Sequence, residues 1–350
     1  MSDENKTLTP VWICYVDGKR LDTKHEGALK KITVNDMLNG IGKCVLQFDT
    51  SAEKLLELGT FSLESQVSVH LGYKDDVEEV FSGEITGFRG IFKEFGHEMC
   101  EVVCCNVLYK LAHGKHSLSF ENKTCSDIAK EIIEGYSLTA DVDSFGASFE
   151  FDTLHSMTDL EYIQECCKKY GKDFYAYDTK VYIKDTIQVR NDEVIFEWGK
   201  SLIDFYPFCN IENVYSECNC VGWDSLKCEG IAANAKLSEL PVQVGGSNDW
   251  TKISKGGDGK FVHNIVDEKF LDADDAKKVA LGAMQQNSFR FMTAAGKAEG
   301  TYKLLPGMRV NIKYVGKLFE GEYIAETVTH EFDTLGGYTT GFTLKRNMCS

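Results

Sequence analysis

The 350-residue sequence has few of the features that mark a membrane-anchored, secreted or nucleic-acid-binding chain. Its longest apolar runs, such as residues 11–16, are far shorter than the ~18 residues that a membrane span requires. The first ten residues are polar, so we expect no secretory signal. Positive charge is also scarce, because 38 Lys and Arg face 54 Asp and Glu, which gives a net charge of −16. So acidic a surface repels phosphate backbones and anionic lipids, and therefore disfavours binding of nucleic acid or a membrane surface by the whole protein.

Cysteine is abundant, with thirteen residues, but no CxxC pair occurs. Zinc-ribbon and thioredoxin-like interpretations therefore lose their main signature. The count is odd and some cysteines are adjacent, as at 104–105 and 166–167. We interpret them as reduced thiols that pack as small apolar side chains in a protein made in the cytoplasm. At about 150 residues per domain, the length suggests two or three domains that fold without disulfides.

The motifs of common enzyme classes are missing as well. Neither HExxH nor GxSxG occurs. Gly256–Lys260 lacks the hydroxyl residue and the earlier glycine of a phosphate-binding loop, so we predict that 245–259 is a surface loop. His330 and Glu331 are neighbours in β-type sequence and should point to opposite faces, so we expect a structural histidine rather than a catalytic pair. We predict no catalytic residues, no cofactor and no metal, although cysteine–histidine pairs formed only by folding stay open.

Alternation of apolar and polar residues predicts β structure in the first third of the chain. Residues 67–71 alternate as a strand with one buried face requires. Residues 72–76 have turn composition, and residues 80–85 fit the returning strand. We predict a first β-barrel domain over residues 1–112, completed by part of 191–240.

Helical signals follow in the middle of the chain. Thr124 and Thr158 each precede an apolar helical stripe and have an acidic residue three positions later, the spacing of a capping box. Gly171 is placed to end the second helix. Residues 174–183 resemble a β-hairpin. We therefore predict that residues 113–190 form an α+β insert.

The last part of the chain begins with a third helix and returns to β structure. Asp272 is placed to cap a helix whose apolar side chains share one face: Ala276, Val279, Ala280, Ala283 and Met284. Pro306 and Gly307 predict a turn before an alternating strand. We predict a second β-barrel domain over residues 241–350, with this helix at its start.

Two five-residue segments resemble each other. The first begins with Phe81 and has Gly83 two residues later; the second begins with Phe319, followed by Gly321 and Tyr323. Both belong to strand pairs, and each is followed by a glycine-marked turn and a further strand. We predict a mainly β fold in which two similar small β-barrels flank the α+β insert. The alternative, that any two β-hairpins would show this similarity, stays open.

Several segments together resemble a known family. Residues 120–128 resemble the family's F-x-x-K-T-x-x-D-I entry to a helix, and residues 155–163 resemble its Q-Y-x-E-S-D-L-x-F helix. Residues 305–310, 321–323 and 328–330 resemble its closing barrel. The family is that of the late control D, or baseplate hub, proteins of contractile-tailed phages, which are similar to the N-terminal part of the VgrG spike of type VI secretion.

The resemblance extends over residues 10–346 and departs from the family at His155 and Ser156, where Gln-Tyr is common. It implies a homotrimer in which each chain gives two similar barrels, so that six barrels form a ring. This ring would match a hexameric tail tube above and a trimeric spike below, with the spike a separate polypeptide. The residues that we expect to serve structure and interaction are Phe81, Gly83, Pro306, Gly307, Phe319, Gly321, Tyr323 and His330.

The implied location is a virion tail or tail-like particle, assembled from protein made in the bacterial cytoplasm and out of contact with a membrane in the resting state. DNA or effectors would pass through the ring without specific binding. We expect part of the negative charge to line this channel and repel DNA, the alternative being a solvated exterior. Two other functions stay open: a hub-associated peptidoglycan hydrolase, and an adaptor that loads effectors.

Overall fold

A computed structural model describes most of the chain and shows a mainly β protein with helices concentrated in the middle. No disulfide joins any of the thirteen cysteines, which all lie in the described part. The described residues are 9–50, 59–74, 76–94, 97–187, 189–190, 192–224, 227–255, 261–266 and 269–349. The predicted loop at Gly256–Lys260 lies outside them.

The first β region precedes the insert. Its elements are β1 (Pro10–Val16), β2 (Lys19–Arg20), α1 (Thr23–Ala28), β3 (Leu29–Met37), β4 (Lys43–Asp49), β5 (Gln66–Tyr73), β6 (Asp76–Lys93), β7 (His97–Cys105) and α2 (Leu108–Leu111). The insert contains β8 (His116–Lys123), α3 (Cys125–Gly135), β9 (Thr139–Val142), β10 (Phe149–Met157), α4 (Asp159–Tyr170), β11 (Asp173–Tyr177) and β12 (Lys180–Lys184).

The rest of the chain adds nine strands and two α-helices among the described residues. They are β13 (Val194–Glu197), β14 (Leu202–Cys209), β15 (Glu217–Asp224), β16 (Glu229–Lys236), α5 (Trp250–Ile253), β17 (Val262–Val266), α6 (Ala273–Ser288), β18 (Met292–Glu299), β19 (Arg309–Lys313), β20 (Gly321–Asp333) and β21 (Gly337–Arg346). A 3-10 turn, Leu237–Glu239, follows β16.

One large sheet contains thirteen of the described strands and joins the two ends of the chain. Its main path runs β14-β18-β21-β20-β3-β4-β7-β6-β5-β1-β2, while β19 pairs with β20 and β13 pairs with β19. The sheet therefore contains two sets of six strands in the same spatial order. We call β1 and β3–β7 the first module, and β13, β14 and β18–β21 the second module. Along the chain, too, the six strands of each module follow one another in the same order.

The two modules also share their irregularities. The β6–β7 ladder shifts register between residues 85 and 87, and the β20–β21 ladder shifts between residues 325 and 327. Aligning these two bulges makes Phe81 equivalent to Gly321 rather than to Phe319. The sequence similarity thus identified the correct pair of strands, but with an alignment two residues out of register.

The structure corrects two expectations about these regions. No closed barrel is formed by the ladders of the described strands, since β13 and β14 are linked only by a single bridge between Trp198 and Leu202. The part of 191–240 that pairs with the large sheet does not complete the first module, because β13 and β14 pair with β19 and β18 of the second. One difference separates the modules: β1 is antiparallel to β5, whereas β13 is parallel to β19.

The insert has the predicted helices, because their signals are local. Thr124 and Thr158 both form capping boxes, and Gly171 ends α4 in a left-handed conformation with φ of 68°. Strands β11 and β12 form the predicted hairpin. Helix α4 packs on α6 so closely that a Cβ on Gly282 would lie 2.5 Å from the carbonyl carbon of Tyr170.

Helix α6 begins at the predicted cap, since the Asp272 carboxylate accepts a hydrogen bond from the Asp275 N–H. It packs against a separate three-stranded sheet of order β16-β15-β17. The predicted surface loop contains helix α5, whose Trp250 is fully buried. The alternating strand predicted after Pro306 and Gly307 is β19, which ends at Lys313.

Candidate assembly site at the junction of the two modules

The two modules meet where the second half of β20 adds to the edge of β3. Residues 327–333 pair with residues 37–31 in an antiparallel ladder. On the buried face, Phe332 enters the apolar core of the first module, where its ring centroid lies 6.4 Å from that of Trp12. The junction therefore has a continuous hydrogen-bonded ladder and a shared core, which hold the modules at a fixed orientation.

His330 lies at the centre of this ladder and is fully buried, as a structural histidine should be. Its Nδ1 lies 2.9 Å from the hydroxyl oxygen of Tyr338. Burial lowers the pKa of the His330 imidazole to about 3, so the ring is neutral near pH 7. The adjacent Glu331 points to the other face, where it pairs with Lys31 and lies 3.4 Å from Lys297. The two neighbours therefore do not act as a pair.

Phe319, Gly321 and Tyr323 lie together around a buried arginine that the sequence analysis missed. Tyr323 is fully buried and donates a 2.7 Å hydrogen bond to the Phe319 carbonyl. The Arg346 guanidinium lies 4.3 Å from the centroid of the Tyr323 ring and donates a 2.7 Å hydrogen bond to the Glu320 carbonyl. A buried guanidinium is costly unless its N–H groups have such partners. Keeping these contacts therefore holds the turn before β20 in one conformation.

The remaining predicted residues lie in two other places. Phe81 is buried in the first module, and Gly83 lies against β7, where a Cβ would be 2.2 Å from the Cys105 carbonyl oxygen. Pro306 and Gly307 form the turn before β19, and Gly307 has φ of 85°. The eight residues therefore do not form one site: five lie in or beside the turns that flank β19, His330 lies at the module junction, and two lie in the first module.

Two further polar contacts tie the insert to the modules. Arg190 donates hydrogen bonds to the carbonyls of Glu79 and Tyr302 and to the Tyr177 hydroxyl, so it joins three regions of the chain. Asp36 in β3 accepts a 2.6 Å hydrogen bond from Tyr175 in β11. Burial raises the pKa of the Asp36 carboxyl to about 7, although hydrogen bonds from Tyr175 and a backbone N–H oppose the shift. Single arginines and aspartates carry no local motif, so neither contact could be predicted from the sequence.

The described part of the chain presents few arrangements suited to chemistry. No three His, Cys, Asp or Glu side chains within it are grouped to hold a metal ion. No helix within it combines the length and apolar character that a bilayer span requires. An open cleft of about 510 Å³ lies between α4 and α6, lined by mixed polar side chains such as Gln164, Gln285 and Arg290. The arrangements that the structure does build are strand ladders and packed junctions.

Comparison with solved structures shows that this fold occurs in tail proteins. The 43 kDa tail protein of prophage MuSo2 from Shewanella oneidensis aligns with a TM-score of 0.69 and 15% identity, over 97% of this chain and 99% of that chain. A tail protein from Neisseria meningitidis MC58 aligns with a TM-score of 0.70 and 12% identity, over 97% of each chain.

A third solved structure extends the similarity to secretion systems. The E. coli c3393 protein aligns with a TM-score of 0.60 and 12% identity, over 95% of this chain and 76% of that chain. It is described as a component of the type VI secretion system with structural similarity to the T4 bacteriophage tail proteins gp27 and gp5. At such low identities, the alignments establish the fold.

Sequence comparison gives one family. The model described as the Alg8 N-terminal domain matches residues 7–334. A search of curated proteins gives no significant match. The family match and the solved structures thus cover nearly the same part of the chain.

Proposed function

We propose that this chain, which belongs to the Alg8 N-terminal domain family, is a structural hub protein of a contractile tail or tail-like injection particle. The observation that carries the proposal is the repetition of one six-strand order within a chain whose fold is that of tail proteins. This is the late control D type of hub that the sequence resembles.

In this role three chains form a ring of six modules. A trimer of a duplicated module has approximate six-fold symmetry on one face and true three-fold symmetry as a whole. It therefore joins a hexameric tail tube to a trimeric spike. The junction of β20 with β3 supports this role, because a ring that transmits force needs modules that do not move relative to each other.

The charge of the chain suits a channel through which DNA or effectors pass. With a net charge of −16, the protein carries an excess of acidic groups, which would repel a polyanion in transit. We expect acidic side chains to face the lumen of the ring. A map of the trimer at side-chain resolution tests this, and a lumen lined by lysine and arginine would contradict it.

The oligomeric state of the purified chain tests the proposal directly. We expect light scattering to give three times the 39.2 kDa chain mass, and electron microscopy to show a ring with a central hole. Tube and spike proteins added together should bind to opposite faces of this ring. A chain that stays monomeric alone and in the presence of both partners would contradict a hub.

A further inference from the structure

The hairpin β6–β7 of the first module is equivalent to β20–β21 of the second, residue for residue. Beyond the shared bulge, the two ladders end at the pairs Lys93–His97 and Asp333–Gly337. Each hairpin thus has the same length from bulge to tip. Phe92 is therefore the equivalent of Phe332.

Only one of these two hairpins has its outer edge covered. Residues 327–333 of β20 pair with β21 on one side and with β3 on the other. Residues 88–93 of β6 pair with β7 on one side, and no described strand pairs with their other side. We call residues 88–93 the β6 edge. Phe332 is 6% exposed, whereas Phe92 is 79% exposed, which is unusual for a phenylalanine in a strand.

The second module has an open edge of its own, on the strand that corresponds to β3. Strand β3 pairs with β4, and β14 pairs with β18. Each of these ladders has a one-residue bulge near its start, between residues 29 and 31 in β3 and between residues 202 and 204 in β14. We call residues 204–209 the β14 edge; it lies at the end of the sheet path among the described strands. It carries Tyr206, 68% exposed, and Phe208, 60% exposed.

We infer that the β6 edge of one copy adds to the β14 edge of a second copy, in the same way that β20 adds to β3 within the chain. The operation that relates the first module to the second carries β3 onto β14. Applied to the second module, the same operation carries β20 onto β6 of the next chain. The inference rests on the proposed trimer, because repeating this operation must close a ring of three chains.

The equivalences fix the register of this ladder. Within the chain, Val328, His330, Phe332 and Asp333 lie opposite Asp36, Val34, Ile32 and Lys31. Between copies, the opposed pairs become Phe88–Cys209, Gly90–Pro207, Phe92–Phe205 and Lys93–Asp204. The last pair is again oppositely charged, with the two signs exchanged relative to Asp333 and Lys31.

The chemistry of both edges fits this register. Phe92 meets the half-buried ring of Phe205, and the exposed ring of Tyr206 meets Ile91 on the other face. Strand addition uses the free backbone groups of both edges for affinity and side chains for specificity. Pro207 has no N–H and leaves this ladder with fewer possible hydrogen bonds, but its partner Gly90 offers no side chain to crowd it.

Disulfide cross-linking tests the register, because Phe88→Cys would lie opposite the native Cys209 of the next copy. Opposed residues in antiparallel strands have Cα atoms ~4.5–5.5 Å apart, within the range of a disulfide. We expect mild oxidation of Phe88→Cys to give covalent species of up to three chains on a non-reducing gel. The double variant Phe88→Cys/Cys209→Ser and the opposite-face variant Arg89→Cys should give none.

Dissociation measurements provide the second arm. We expect Phe92→Asp to raise the concentration at which the trimer half-dissociates at least ten-fold, whereas Phe151→Asp, on an exposed strand of the insert, leaves it unchanged. Lys93→Glu and Asp204→Lys should each weaken the trimer, and their combination should restore it.

The outcomes separate this inference from the proposed function. A stable trimer that neither cross-links through Cys209 nor responds to Phe92→Asp would overturn the edge pairing and leave the hub intact. Cross-linking through Cys209 into chains longer than three would support the pairing and contradict the closed ring. A wild-type chain that is monomeric under every condition would overturn both.

Discussion

The second half of β20 is buried and the equivalent half of β6 is exposed, although the two hairpins share their length and their bulge. On the face that β20 buries, Val328, His330 and Phe332 are shielded from solvent, and Phe332 lies in the core of the first module. The equivalent residues of β6 are Phe88, Gly90 and Phe92, of which two are aromatic and open to solvent. The two hairpins thus share one backbone arrangement, and among the described strands only the hairpin of the second module is covered by a neighbouring module.

The largest expected effect comes from truncating the two equivalent phenylalanines. Phe332→Ala should lower the free energy of unfolding by about 3–5 kcal/mol, because it leaves a cavity in the first module's core. Phe92→Ala should change it by less than about 0.5 kcal/mol in dilute, dissociated protein, where the ring is in water. Urea titration of both variants at low concentration measures the difference. Equal effects of the two substitutions would contradict the burial of Phe332 and the exposure of Phe92.

Acid should act on the junction through His330, which has Gly90 as its equivalent in β6. Since burial lowers the pKa of His330 to about 3, the folded protein binds this proton more weakly than the unfolded chain. The stability that the neutral ring contributes is complete above an unfolded pKa near 6.5 and falls as the pH drops from there toward 3. By pH 4.5 the loss should reach about 2.7 kcal/mol, since each pH unit below 6.5 contributes about 1.36 kcal/mol.

The matched variant is His330→Gln, which carries no titrating group at this position. Urea unfolding at pH 7.5, 5.5 and 4.5 should show wild type losing more stability than the variant over the acid range. Parallel pH profiles for the two proteins would contradict a buried neutral histidine at the junction.

The elements that were predicted correctly from sequence are those with local signals. The caps at Thr124, Thr158 and Asp272 act within one helical turn, so their residues suffice to place α3, α4 and α6. The hairpin similarity around Phe81 and Phe319 was also local, but it rested on matching Phe81 and Gly83 with Phe319 and Gly321. The shared bulges make Phe81 equivalent to Gly321 instead, so the predicted alignment was two residues out of register.

The interactions that were missed join distant parts of the chain. The ladder between β20 and β3 connects segments almost 300 residues apart, and the sequence of neither strand indicates which strand it pairs with. Arg346 and Arg190 are recognisable only once the carbonyls that they bind have been brought together. The expectation that part of 191–240 completes the first domain was wrong for the same reason, since β-type sequence does not specify which sheet a strand joins.

The smallest expected effect concerns Asp36, whose equivalent in β14 is Cys209. The pKa of Asp36 is raised to about 7 in the folded protein, whereas an unfolded aspartate has a pKa of ~3.9. The folded protein therefore binds this proton more tightly than the unfolded chain does. The contribution of the protonated Asp36 carboxyl to stability is therefore complete below pH 4 and is lost as the pH rises through 7. Above that pH the folded protein holds a buried carboxylate. Asp36→Asn keeps an acceptor for the Tyr175 hydroxyl and removes that charge. It should raise the free energy of unfolding by about 1–2 kcal/mol at pH 8.5, and by less at pH 5.

The control is Tyr175→Phe, which should destabilise the protein at both pH values because it leaves the buried Asp36 carboxyl without its hydrogen-bond donor. If Asp36→Asn were instead destabilising at pH 8.5, Asp36 would be held as a stabilised anion, and the junction between insert and first module would depend on its charge.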